Sequence, residues 1–309
     1  MTGQRPRGTT RRTWLRALGA TALLARAGVG AAGDDAVERI RAKGRDARMQ
    51  PFDESESARY VAVGDASAGY RGEALRLCEA FGADFLAYFQ EKGFALAWPA
   101  ARLPIVVLAG PTSYAAFEKG FADEAIGGHF DLDANWLVTF DYRPLANAPR
   151  ARGGPDPRVV NTFTLVHEAA HQLAYNTGLL DRGADVPLCV VEGLATYAET
   201  WGPTRRSGLG APNVERRRGL ATAQAGNARW IPVRRLLAED NLVNDEATRD
   251  VAYAISTLLV AKLLKDPARL PHFRDYLKAV RATKDPARRV ALAEEHLGDL
   301  DKLDREIRR

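Results

Sequence analysis

The stretch Thr164-Leu-Val-His-Glu-Ala-Ala-His-Gln-Leu173 carries the pattern from which the rest of this chain is read. His167 and His171 are four residues apart, so a helix stacks them one turn apart on the same face. Their imidazoles can then converge on one metal ion. Glu168 is rotated about 100° from His167, beside the pair, where a carboxylate can hold a water. This is the H-E-x-x-H arrangement of two zinc ligands and a general base. The flanks predict the helix it needs. Asp156-Pro157 reads as an N-cap with proline in the first turn, and Asn176-Thr-Gly178 as a stop. Val159, Phe163, Val166, Ala170 and Leu173 recur at four-three spacing as an apolar face. The alternative is a pair of exposed histidines beside an ordinary surface glutamate.

A catalytic zinc takes three protein ligands and keeps one position open. Metzincins place a third histidine six residues after the second, behind a glycine. Those positions here are Thr177 and Ala174, and the only methionines, Met1 and Met49, supply no methionine turn. The better candidate is Glu192. It lies on a helix predicted over Pro187–Trp201, with proline in its first turn and Gly202-Pro203 as its stop. Leu188, Val190, Val191, Leu194, Ala195, Tyr197, Ala198 and Trp201 make that helix apolar round most of its circumference. A carboxylate there is costly to bury unless a cation compensates it. The alternative is a solvated stripe of Glu192, Thr196 and Glu199. His129, His272 and His296 are isolated in sequence and read as surface or core histidines.

The 309 residues are 46% hydrophobic, enough for one large domain or two intimate ones. The formal charge of +5 comes from the first 32 residues, which hold six arginines and no acid; beyond them acids outnumber bases by one. No basic patch interleaved with aromatics follows, so nucleic acid is not an expected partner. Thr10-Arg-Arg-Thr-Trp-Leu-Arg16 is similar to a twin-arginine export signal, followed by an apolar run from Ala17 to Ala25 and small residues suited to cleavage near Ala31 or Ala32. The run is too short to span a bilayer and ends at Arg26, and no cysteine stands near the cleavage site, so no lasting membrane anchor is expected. The alternative is a disordered basic tail. The similarity implies export of an already folded protein, with metal loaded beforehand.

Residues 1–32 are thus expected to be a signal peptide. Residues 33–58 are read as a linker with at most a short helix around Ala36–Lys43, and 59–309 as the working domain. Within that domain, 59–145 reads as an α/β lobe and 146–309 as a helical lobe. The α/β lobe has strands at Arg59–Val63, Pro104–Ala109 and Asn135–Phe140, a helix over Glu73–Lys92, another from Thr112, and a turn at Gly127–Asp131. One of its strands is expected to form a cleft wall where an extended peptide pairs by strand addition. Ala146–Pro157 and Gly178–Val186 read as loops, Thr204–Asn227 as a flexible excursion, and the chain from Trp230 onward as helical. Cys78 and Cys189 allow either a disulfide or two buried thiols.

His167-Glu168…His171 followed by Glu192-Gly-Leu-Ala-Thr-Tyr197 resembles the gluzincins, the thermolysin-like superfamily of zinc peptidases. It is most similar to the secreted bacterial "peptidase MA-like" proteins. Gly128-His-Phe-Asp131 with the following strand, and Tyr253-Ala-Ile-Ser-Thr-Leu-Leu-Val260, match further family features. The resemblance runs from about Tyr60 onward and is strongest over Phe163–Trp201. It departs at His129, where the family has an aromatic, and in lacking a motif for a substrate amino terminus. It implies an α+β, zincin-like fold with the zinc site in the cleft between the two lobes. It also implies a periplasmic or secreted peptidase, of endopeptidase type, acting on a peptide or protein. Zn²⁺ would be held by His167, His171 and Glu192, with Glu168 as general base. By the same resemblance Tyr253 would stabilise the oxyanion, or else be a core tyrosine; Glu199 would orient a ligand histidine, or else lie on the surface. The rival reading is an envelope scaffold of this fold that binds zinc without cleaving peptides. Arg11-Arg12→Lys-Lys is expected to hold the precursor in the cytoplasm, checked by fractionation and immunoblotting; unchanged export would remove the twin-arginine reading.

Overall fold

Three short, nearly unbroken apolar runs form the centre of the protein: β2 (Tyr60–Gly64), β3 (Leu103–Leu108) and β5 (Trp136–Phe140). Runs apolar on both faces suit parallel strands covered on both sides, and β2, β3 and β5 are parallel neighbours, with Val63 beside Val106 and Val106 beside Val138. The computed structural model describes residues 31–120, 127–143, 156–203 and 208–308. Two antiparallel strands complete a five-stranded sheet of order β1-β2-β3-β5-β4: β1 (Asp53–Glu56) beside β2 and β4 (Gly128–Asp131) beside β5. The edge strand β1 reads Asp-Glu-Ser-Glu and is mostly exposed. Charge along an exposed edge discourages pairing with another chain.

Side chains alternate between two cores, as strand geometry requires. Val61, Val63, Val106, Leu108, Val138 and Phe140 face α1 (Ala31–Asp46) and α3 (Pro111–Phe117), meeting Val37, Ile40, Tyr114 and Phe117. Tyr60, Ala62, Ile105, Val107 and Leu137 face the larger core, built with α2 (Ala68–Glu91) and α4 (Pro157–Asn176). The helical remainder comprises α5 (Leu188–Ala198), α6 (Val214–Ala225), α7 (Val233–Ala238), α8 (Asn241–Asn244), α9 (Arg249–Lys265), α10 (Leu270–Arg281), α11 (Arg289–Leu297) and α12 (Leu300–Ile307). The described chain is therefore α+β, a five-stranded sheet with a mostly helical remainder. None of its described helices is long and apolar enough to cross a membrane.

Several expectations change. Residues 33–58, read as a linker, carry most of α1 and all of β1. Among the residues of α1 whose burial is described, only the narrow stripe Ala36, Val37, Ile40 and Gly44 is buried, and β1 has no apolar residue, so neither shows a strong period. The turn at Gly127–Asp131 is mostly strand β4, and the excursion at Thr204–Asn227 contains α6. Helix α2 starts at Ala68 rather than Glu73, because the Ser67 hydroxyl accepts from the Tyr70 amide and Tyr70 and Arg71 are buried. On α4 the cap at Asp156 and the stop after Thr177, with Gly178 at φ +97°, lie where the spacing put them. Its expected apolar face holds only from Val166 onward, because Val159 and Phe163 are 61% and 40% exposed. Cys78 and Cys189 are free, buried thiols, and burial raises the pKa of both. All but the last two residues of the expected signal peptide, and most of the loop at Ala146–Pro157, lie outside the described residues.

Helix α5 is buried along its whole length, and two features hold it in place. Arg289, 5% exposed on α11, grips both carboxylate oxygens of Asp185 at 2.5 and 2.6 Å and also Asp240 at 2.8 Å. Asp240 in turn accepts the Leu188 amide at 2.8 Å, satisfying a donor at the start of α5. On the side facing α9, Gly193 lets the two helices touch. A Cβ there would lie 2.6 Å from Val260 Cγ2 and 2.7 Å from the Ser256 carbonyl oxygen. One turn on, Thr257 donates to the Thr196 hydroxyl at 2.7 Å. Gly193→Val should therefore force the helices apart and cost about 1–3 kcal/mol of stability, measured by chemical denaturation; an unchanged midpoint would contradict this packing.

Candidate metal centre

The i, i+4 spacing on α4 does what the helix period requires: His167 and His171 stack on one face, both buried, with Nε2 atoms 3.2 Å apart. Glu192 arrives from α5, placing Oε2 at 3.3 Å from His167 Nε2 and 3.6 Å from His171 Nε2. All three donor atoms lie within 4.8 Å of one another. Two imidazole nitrogens and a carboxylate oxygen, buried and converging, fit a divalent cation of the zinc kind by donor chemistry. The cluster could hold a metal ion, and its geometry does not single out which one.

The protonation of these groups shows what a cation would replace. Burial pushes the His167 imidazolium down, but its hydrogen bonds to Glu192 and Glu199 outweigh this and raise it to about 9. Burial likewise raises the Glu192 carboxyl, yet the His171 charge and the contacts with both histidines hold it well below the ordinary glutamate value. Without a metal, then, an imidazolium supplies the positive charge that the buried carboxylate needs.

A second layer orients the first. Glu199 Oε1 lies 2.9 Å from His167 Nδ1, which turns Nε2 toward the donor cluster and fixes the ring. Both oxygens of Glu199 are held in turn: Arg216 Nε donates to Oε2 at 3.0 Å, Arg216 Nη2 to Oε1, and Asn213 Nδ2 to Oε2 at 2.8 Å. Burial raises the Glu199 carboxyl, but His167 and Arg216 overcome this and keep it anionic. The Tyr253 ring lies parallel to that of His167, 10° between planes and 6.4 Å between centroids, and Arg216 sits over its face at 5.0 Å.

The structure thus brings together His167, His171 and Glu192, with Glu199 and Tyr253 against His167 and buried Glu168 beside them on α4. The solvated stripe weighed for Glu192, Thr196 and Glu199 is instead fully enclosed. His129 is not part of the cluster. It faces α3, with Nδ1 2.8 Å from the Tyr114 hydroxyl and Nε2 3.8 Å from Glu118. Arg216 and Asn213 were missed because their segment is polar and rich in glycine and arginine. The available signal was Asn213 itself, an N-cap whose side chain accepts from the Arg216 amide.

A family described as "Protein of unknown function (DUF1570)" matches residues 161–287. The match covers less than half of the chain but contains every residue of the cluster and of its supporting layer. None of the curated proteins matches the chain.

The pH dependence of the metal-free protein follows. With His167 raised from 6.5 to about 9, its contribution is complete below pH 6.5 and is lost as pH rises to about 9. With Glu192 lowered from 4.5, its contribution is complete above pH 4.5 and is lost as pH falls below that. The metal-free chain should therefore lose thermal stability from pH 6.5 to 9, read by calorimetry. Over the same range its metal affinity should rise by up to about tenfold per pH unit as the proton on His167 is displaced, read by chelator competition. A flat affinity profile would rule out the protonated pair.

Proposed function

We propose that this protein is a zinc-dependent peptidase of the gluzincin type, with the zincin-like arrangement of an α/β lobe and a helical lobe about the zinc site. The observation that carries the reading is the convergence of His167, His171 and Glu192 with buried Glu168 next to the first of them. His167, His171 and Glu192 would hold the zinc, which would supply Lewis acidity and lower the pKa of water at the site. Glu168 would act as general base, accepting a proton from the attacking water and delivering it to the departing amine. Glu199, braced by Arg216 and Asn213, keeps His167 in the ligating tautomer throughout. Tyr253 is the proposed donor to the oxyanion that develops on the carbonyl oxygen.

The surroundings fit a peptide. Strand β4 closes one edge of the sheet and packs on α4, so an extended chain added to that edge would run alongside the metal helix. Phe163 and Val159, exposed about one and two turns ahead of His167, offer apolar surface to substrate side chains. The amino-terminal arginine pair supports a periplasmic or secreted location. Within this reading the activity is that of an endopeptidase.

Three variants test the division of roles. Glu168→Gln should keep its zinc and lose about 10²–10⁴-fold in turnover. Glu192→Gln should lose metal affinity first and activity with it. Tyr253→Phe should keep zinc and lower kcat with little change in KM. Zinc content by elemental analysis, beside cleavage of a broad peptide library, reads all three. Zinc retained by Glu192→Gln but lost by Glu168→Gln would overturn the assignment. A wild type that loads zinc and cleaves nothing would favour a zinc-binding scaffold.

A further inference from the structure

A cavity of about 60 Å³ lies between α6 and α9, with Arg216 in its lining. Its floor is apolar and buried at Ala254, beside Thr257; its walls are Leu258, Ala261 and Pro212. Arg217 and Lys265, both exposed, stand at its mouth. A water-sized atom takes roughly 10–15 Å³ of such space, so the cavity holds about four to six heavy atoms.

The charge at this mouth is unbalanced. Arg216 is committed to Glu199, whereas among the described residues neither Arg217 nor Lys265 has an ion pair. Burial, and then the charges of Arg217 and Lys92, hold the Lys265 ammonium below the ordinary lysine value, so the three cations sense one another. Lys92 donates to the Leu264 carbonyl at the end of α9. A helix carboxyl end amounts to about half a negative charge, so this surface keeps a net positive charge. The polar groups lining the floor are already bonded: the Thr257 hydroxyl to Thr196 and the Tyr253 carbonyl, and the Tyr197 hydroxyl to Tyr88. The cavity therefore offers positive charge from Arg217 and Lys265 and apolar surface from Ala254, Leu258 and Ala261.

We infer that this cavity is a binding site for a small monocarboxylate with a short apolar tail, its carboxylate held by Arg217 and Lys265 and its tail lodged against Ala254, Leu258 and Ala261. The polarity sets the orientation. A peptide carboxyl terminus would have to enter carboxylate first, past the cations and into an apolar floor. A free carboxylate of about six heavy atoms enters tail first and leaves its charge at the mouth.

The test is calorimetric titration of the purified chain with butyrate, its neutral counterpart butyramide, and inorganic phosphate. Butyrate should bind saturably with one site per chain, and at least about tenfold more tightly than butyramide. Arg217→Ala and Lys265→Ala should each weaken butyrate by about tenfold, and Arg217→Lys should restore most of it. Ala261→Leu fills the cavity at a half-exposed position and should abolish binding while the circular dichroism spectrum stays unchanged. Equal binding of butyrate and butyramide by the wild type would overturn the inference. So would butyrate and phosphate that bind alike and are lost in Arg217→Ala but kept in folded Ala261→Leu, since that marks a surface charge cluster without a cavity site. Should Ala261→Leu not fold, the comparison of butyrate with butyramide in wild type and Arg217→Ala decides alone.

Discussion

A glutamate carboxylate with almost no access to water is the constraint around which the helical part of this protein is arranged. Removing an ion of this kind from water costs several kcal/mol even after relaxation, and α5 offers Glu192 mostly apolar neighbours and no charge of opposite sign along its own length. The compensation comes from α4, where two imidazoles reach the same carboxylate oxygen. One of those imidazoles passes the problem outward. His167 leans on Glu199, a second buried carboxylate, whose charge is balanced further where Arg216 reaches in from α6. Charges of alternating sign therefore run from the interior to the surface, and each member is tolerable because of the next.

This chain of dependence accounts for the packing around it. Helix α5 has to be buried on all sides, and glycine at 193 allows α9 to close over it without a gap. The stacking of Tyr253 on His167, and of Arg216 on Tyr253, fills the space between the ion pairs with aromatic surface and limits water beside them. A second buried ionic group, Arg289 with Asp185 and Asp240, lies at the other end of α5 and fastens its first turn. The helix carrying Glu192 is thus held at both ends by charge and along its side by close contact.

What the sequence disclosed follows from the same physics. The α4 histidines were legible because a four-residue interval has one meaning on a helix, and Glu192 because a lone acid in an apolar helix demands a partner. Strands β2, β3 and β5 were legible as apolar runs. Helix α1 was legible only as a short helix around Ala36–Lys43, because its apolar stripe is narrow, and α6 was not legible, because it buries a single leucine, Leu220. Glu199 was ambiguous for a different reason. Its spacing from Glu192 and Thr196 is that of a solvated face, and only the arrival of Arg216 and Asn213 from a separate segment turns that face inward. Partnerships between distant charges leave no periodic trace.

The grip of Arg289 on Asp240 also sets an order of events during synthesis. Asp240 fixes the first turn of α5, and Arg289 belongs to α11, which leaves the ribosome long after the two histidines and Glu192. A nascent chain that stops short of α11 carries all three donors but lacks the clamp that sets the helix presenting the third. Domains fold as units as they emerge. The donor set would then assemble late, as part of closing the whole domain, and a half-made chain would be a poor competitor for metal in the cell.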